Sequence, residues 1–367
     1  LNRLVNLSIL FFTIILINCQ IGDSIIKPDH PNIHYTGRID FSQPDKPRLH
    51  GAGSYLEFKF KGTDCKILLE DQHLDNHNHG YIAIELDGKY QGRIRIDKEN
   101  TVYPVARGLD DSEHTLLICK ATEAQTGYID VLGIRCNEIL PMDKDIKRRI
   151  EFIGNSMTCG ALMDPSEIPC NSADWYDQHN AYLTYGPIIA RALDTDWFLS
   201  SVSGMGLTRN WNTEGPTMPE VYHQTSLSPE SITKWNFKSY TPDLVSICLG
   251  TNDFSDGDGS YERGLVDGNK FISTYIQFVK EIRARYPDAT ICCLNSPMVG
   301  GDIGKILNSY VMQVVNQMNT TFKDNNVHYF QFSRLYQSGC DWHPGLKDHK
   351  MIAEELLPFY KSVMNWK

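Results

Sequence analysis

The chain has 367 residues, 41% of them apolar and 22% charged, and carries a formal charge of −10. That composition is globular, and the length accommodates two domains. The acidic balance, with no long run of Lys or Arg, excludes a protein built to track a phosphate backbone, so no nucleic acid partner is expected.

The first stretch reads as a targeting segment over residues 1–24. Arg3 supplies a positive charge, and Ile9 to Ile17 is nearly all apolar, too short for a comfortable membrane span. Leu16-Ile17-Asn18-Cys19 resembles the lipobox of bacterial lipoproteins, although Asn18 departs from the usual small residue. Two readings stand. Lipidation at Cys19 predicts an outer-membrane or cell-surface lipoprotein, and ordinary cleavage near Cys19 to Ser24 predicts a secreted protein. Of the ten cysteines, none forms a CxxC pair or a Cys/His metal spacing. Cys119, Cys248, Cys292 and Cys293 sit in apolar strand-like runs, as small buried hydrophobes do. An oxidising compartment permits one or two disulfides, which the sequence does not pair.

Residues 25–140 read as an all-β domain. Tyr55 to Phe60 and Tyr81 to Leu86 alternate apolar with polar or small residues, and turns such as Lys61-Gly62-Thr63-Asp64 and Asp87-Gly88-Lys89 separate the runs. Short alternating strands at this spacing predict a sandwich or jelly roll. His73, His77 and His79 fit neither a helix face nor a strand face, so a solvated loop is expected there in preference to a metal site. The polar, proline-containing stretch Asn137 to Lys147 is placed as the domain linker.

From 148 to 367 strands and helices alternate. Strands are predicted at Ile150–Ile153, Trp197–Val202, Leu244–Leu249, Thr290–Leu294 and Val327–Phe332. Helices are predicted at Tyr182–Ala192, Lys270–Arg285, Gly304–Phe322 and Lys347–Val363. Phe271, Tyr275, Phe278, Val279 and Ile282 form one apolar stripe at helical spacing, a core face. The fold class is therefore α/β, a five-stranded parallel sheet covered on both faces.

The chemistry centres on Arg149 to Gly160. A short apolar strand runs into a glycine-flanked turn that presents Ser156 at a carboxyl strand end, where open α/β sheets place ligands. Asn155 and Ser156 also suit a plain helix cap. A serine hydrolase needs a base, a group to orient it and oxyanion donors. His343, in the irregular stretch Ser338 to Gly345, is the best base, and Asp341 is close enough to orient it. The donors would be the Ser156 N–H, a glycine N–H within Ser201 to Gly206, and the Asn252 side chain; Gly250 and Asn252 also suit an ordinary turn. Asp253, Asp256 and Asp258 lack the full calcium-loop pattern and read as a solvated acidic loop. Nothing singles out a facing carboxylate pair for glycosidase chemistry.

These four blocks, in this order over 148–367, resemble the SGNH or GDSL hydrolase superfamily. By that resemblance Ser156 is the nucleophile, Gly204 and Asn252 complete the oxyanion hole, and His343 is the base. The implied fold is a flavodoxin-like three-layer α/β/α domain. Two departures stand out: Gly154-Asn155-Ser156 replaces the usual Gly-Asp-Ser, and only one residue separates Asp341 from His343. Either Asp341 or a backbone carbonyl therefore orients the imidazole. The stretches 154–160, 203–210 and 339–344, with the β-rich first domain, are similar to carbohydrate esterase family 2.

That family implies a serine acetyl esterase acting on acetylated plant polysaccharide or oligosaccharide, xylan or glucomannan, often at the 6-position. It requires no metal or cofactor. Trp342, beside the base, and Trp211, after the second block, are candidate sugar-stacking rings; Trp211 suits core packing equally well. A monomer is expected, with membrane contact only through a lipid at Cys19. Two alternatives remain open: a carbohydrate-binding protein with a vestigial esterase site, and a GDSL esterase or lipase for other acyl chains.

Overall fold

The computed structural model describes residues 24–72, 78–142, 148–260 and 262–367. The expected signal segment with Cys19, and His73 and His77, lie outside the described residues. The alternating runs become strands β1 (His34–Thr36), β2 (Ile39–Asp40), β3 (Arg48–Leu49), β4 (Tyr55–Lys61), β5 (Cys65–Asp71), β6 (Tyr81–Leu86), β7 (Lys89–Arg95), β8 (Val102–Ala106), β9 (Glu113–Lys120), β10 (Ile129–Arg135) and β11 (Glu138–Leu140). They form two antiparallel sheets, β1-β4-β9-β6-β7 with β11 beside β4, and β2-β3-β10-β5-β8. Leu56, Phe58 and Phe60 of β4 point into the sandwich with Ile67, Leu69 and Ile118. Tyr55, Tyr81, Ala83, Leu117 and Cys119 point the other way and are buried against the second domain. Part of the expected linker is thus the edge strand β11: Ile139 is buried and the segment pairs with Lys59 to Lys61. His79 is also buried, on Asp177, and not in a solvated loop.

The second domain holds β12 (Arg148–Gly154), α1 (Ser156–Cys159), α2 (Tyr185–Ala192), β13 (Thr195–Ser201), α3 (Met218–Val221), β14 (Leu244–Ile247), α4 (Gly268–Arg285), β15 (Thr290–Leu294), α5 (Gly301–Thr320), β16 (Val327–Phe330) and α6 (Leu346–Met364). The five strands are parallel in the order β13-β12-β14-β15-β16. Ile150 and Phe152 face the helix pair α2 and α6, whereas Ile153, Val245 and Ile247 face α4 and α5. The second helix starts at Tyr185, later than expected, because Thr184 is extended and Pro187 belongs in a first turn. The chain goes from β12 out to β13 on one side and returns to β14 on the other. The carboxyl end of β12 is therefore the topological switch point, where such sheets form their crevice.

Arg38, from the first domain, is fully buried in the second. Its guanidinium donates to Ser200 Oγ at 3.1 Å and to the Gln224 carbonyl at 2.7 Å. It lies 3.9 Å from Glu151 of β12, and over the rings of Phe198, Tyr222 and Trp235. Glu151 also accepts from Ser200 Oγ and Tyr222 OH. Burial pushes the Glu151 carboxyl upward, against the pull of Arg38.

Candidate active site

β12 delivers its last residues to the switch point, and the chain turns at once into α1. A side chain at Gly154 would place Cβ 2.1 Å from Thr158 Oγ1, so only glycine permits this close turn. Ser156 is the first residue of α1, so its N–H has no partner within the helix. Asn155 makes no side-chain cap; its amide is buried without a hydrogen-bond partner among the described residues. A carboxylate at 155 would bring an unpaired charge into that position.

His343 Nε2 lies 3.0 Å from Ser156 Oγ. Its Nδ1 lies 3.0 Å from the main-chain oxygen of Asp341. Of the two readings left open, the group on Nδ1 is thus the Asp341 carbonyl and not its exposed carboxylate. Asp341 and Trp342 take left-handed conformations, with φ of 46° and 60°, and this tight turn carries the carbonyl back onto the ring. A carbonyl accepts only from an Nδ1–H, so the hydrogen bond fixes the tautomer with Nε2 free to take the serine proton. Asp341→Asn should keep kcat within about threefold, because asparagine tolerates the left-handed turn and keeps the carbonyl. A carboxylate acting in a triad would instead lose about 10⁴-fold on the same change. Ester kinetics of this one variant separate the two.

The loop is anchored on several sides. Cys340 is disulfide-bonded to Cys170 across 170 residues, and Cys340 N–H donates to the Leu162 carbonyl. Asp348, in the first turn of α6, accepts from the Ser338 and Gly345 N–H groups. Burial lowers the affinity of His343 for a proton below its ordinary 6.5, and nearby His179 acts in the same direction. The neutral imidazole is the working base, so kcat/KM should rise with pH through a midpoint below 6.5 and then level off. A pH–rate profile on a neutral ester with its acid limb centred above 6.5 would contradict this environment.

The loop after β13 brings Gly204 to the same edge. Gly204 has φ of 75°, and its N–H has no hydrogen-bond acceptor among the described residues. Asn252, after β14, uses one amide hydrogen on the Met205 carbonyl at 2.7 Å, which leaves the other for a ligand. Asp253 overturns the expectation of a solvated acidic loop at that position. It is fully buried, and its carboxylate accepts from the N–H groups of Leu207, Thr208 and Arg209. Asp256 and Asp258 are exposed. Among the described residues no cluster of His, Cys, Asp and Glu is arranged to hold a metal. Trp342 is 77% exposed beside the histidine, and Trp211 is 43% exposed with its main-chain N–H on the Gly204 carbonyl.

Ser156, Gly204 and Asn252 each follow the carboxyl end of a parallel strand, and His343 reaches Ser156 from the loop before α6. The Cys170–Cys340 pair and the Asp253 brace were not foreseen. The only trace of the brace is an acid directly after Asn252, which reads equally well as a solvated turn.

Comparison with known proteins fits this geometry. The carbohydrate esterase 2 N-terminal family matches residues 35–142, and the GDSL-like lipase/acylhydrolase family matches 152–352. The chain is 33% identical to the cellulase/esterase CelE of Acetivibrio thermocellus over 92% of its own length, but spans only 40% of that protein. It is 26% identical to an acetylxylan esterase / glucomannan deacetylase of Cellvibrio japonicus, with 95% of each chain covered. A family two carbohydrate esterase from Clostridium thermocellum, solved in complex with cellohexaose, superposes with a TM-score of 0.82 at 32% identity, covering 91% of this chain and 100% of that one. With both domains matched and a solved family member covered end to end, the chain belongs to carbohydrate esterase family 2 and is a carboxylic ester hydrolase.

Proposed function

We propose that this chain is a secreted acetyl esterase that removes O-acetyl groups from plant polysaccharides of the xylan or glucomannan type. The observation that carries the reading is the 3.0 Å contact between Ser156 Oγ and His343 Nε2 at the sheet's switch point. Ser156 attacks the acetyl carbonyl as His343 takes its proton. The Ser156 and Gly204 N–H groups and the Asn252 amide receive the oxyanion, and the sugar alcohol leaves with the proton from His343. Water activated by the same imidazole then releases acetate. The reading calls for no metal or cofactor.

A sugar presents an apolar face that stacks on aromatic rings, and Trp342 stands open beside the base. The relative held with cellohexaose, and those named for xylan and glucomannan, support a polysaccharide substrate. The Cys170–Cys340 bond suits export to an oxidising compartment. Whether the mature protein is free or carries a lipid at Cys19 would be read from the mass of its N-terminus.

The test is acetate release from acetylated glucomannan and acetylxylan, together with a series of esters of increasing acyl length. Rates should fall steeply beyond acetyl. Trp342→Ala should raise KM for the polymer about 10-fold while leaving 4-nitrophenyl acetate nearly unaffected. A flat acyl series would favour a general esterase. Polymer binding without acetate release would favour a binding protein.

A further inference from the structure

The first domain reaches the oxyanion loop directly. Glu123 and Gln125 lie just beyond β9, on the 3-10 turn Ala124–Thr126 and its cap. Glu123 is fully buried, and its Oε2 accepts the Ser203 N–H at 2.6 Å. Gln125 Nε2 donates to the Ser203 carbonyl at 2.9 Å. Both main-chain groups of Ser203, the residue before Gly204, are therefore held by the neighbouring domain.

The geometry of the peptide unit gives these bonds their meaning. In a trans peptide the carbonyl of one residue and the N–H of the next point in opposite directions. Fixing the Ser203 carbonyl on Gln125 therefore also fixes the direction of the Gly204 N–H. Fixing the Ser203 N–H on Glu123 sets the preceding peptide plane. The local turn is closed by the Met205 N–H on the Val202 carbonyl at 3.3 Å, and the Gly204 carbonyl accepts the Trp211 main-chain N–H at 2.8 Å. Within that frame the two side chains bind the N–H and the carbonyl of Ser203, next to a Gly204 with φ of 75°.

The carboxylate that does this is itself secured. Glu123 Oε1 lies 3.3 Å from His179 Nε2, and Cys159 Sγ, on the nucleophile's helix, lies 3.5 Å from Oε2. Lys120 Nζ donates to the Thr122 and Glu123 carbonyls and so holds the turn in place. Burial alone would raise the Glu123 carboxyl, but the hydrogen bonds from His179 and Ser203 outweigh it and keep it below its ordinary value.

We infer that Glu123 and Gln125 are positioning residues for ester hydrolysis: they aim the Gly204 N–H at the developing oxyanion. The inference rests on the serine-esterase reading. Neither side chain touches the reacting atoms. The N-terminal domain is on this view part of the catalytic machinery and not only a packing partner.

The test uses the full chain with Gln125→Ala or Glu123→Gln, beside wild type and Ser156→Ala. It measures 4-nitrophenyl acetate kinetics and inhibition by a small alkylboronic acid, whose tetrahedral serine adduct places an oxygen in the oxyanion hole. Each positioning variant should lose about 10-fold in kcat with KM changed less than about twofold, because one donor is mis-aimed and not removed. The boronate inhibition constant should rise by the same factor, which mere loosening of the domain contact would not produce. Gln125 is exposed, so its variant folds and decides the matter even if Glu123→Gln does not. A folded Gln125→Ala protein with kcat and boronate inhibition within twofold of wild type overturns the inference. A Ser156→Ala protein as active as wild type would instead sink the nucleophile assignment beneath it.

Discussion

Ser156→Ala should reduce kcat for 4-nitrophenyl acetate by about 10⁴-fold or more while leaving the melting temperature within about 2 °C of wild type. The effect is large because the hydroxyl is the only group at the switch point in hydrogen-bond contact with a free imidazole nitrogen among the described residues. The fold is spared because that side chain is small and, among the described residues, its one side-chain partner is His343. His343→Ala should cost about as much. The double variant should cost little more than either, since nucleophile and base act as one unit. Additive losses would mean that the two residues act in separate steps. Full activity without Ser156 would remove the serine mechanism altogether.

Breaking the Cys170–Cys340 bond should be the next largest effect. A crosslink that spans 170 residues removes about 5 kcal/mol of chain entropy from the unfolded state in the simplest model, and measured gains are usually about 2–4 kcal/mol. The same bond also holds the start of the turn that carries the Asp341 carbonyl and His343. The Cys170→Ser/Cys340→Ser protein should therefore melt several degrees lower. It should also lose about 10-fold or more in kcat, because small misplacements of a base are costly. Melting curves and ester kinetics with and without a reducing agent provide the check. A lower melting temperature with unchanged kcat would show that the Leu162 and Asp348 contacts hold the loop unaided.

The sequence carried most of the fold because its signals were local. Period-two runs gave the sandwich strands, and the stripe from Phe271 to Ile282 gave α4, observed over Gly268–Arg285. Ser156, Gly204, Asn252 and His343 were legible because each sits in a short block just after a strand or before the last helix. The group orienting His343 was not, because it depends on the left-handed turn at Asp341 and Trp342, and main-chain oxygens leave no mark in a sequence. Glu123 and Asp253 were missed for a related reason. A buried carboxylate that accepts backbone N–H groups looks, in sequence, like any surface acid until the fold shows what covers it. The two-sided burial of β4 and β9 was hidden because their outer faces meet the second domain through Tyr55, Leu117 and Cys119.

The Arg38–Glu151 contact bears on how such a chain can be recombined. A cut between the two domains, at the stretch that looks like a natural joint, would strip the guanidinium from Glu151. Glu151 would be left with Ser200 Oγ and Tyr222 OH as partners, next to the strand end that carries Ser156. Neither half should therefore serve as a free-standing cassette. The pair should melt in a single transition, and grafting onto a new scaffold should succeed only when both halves move together.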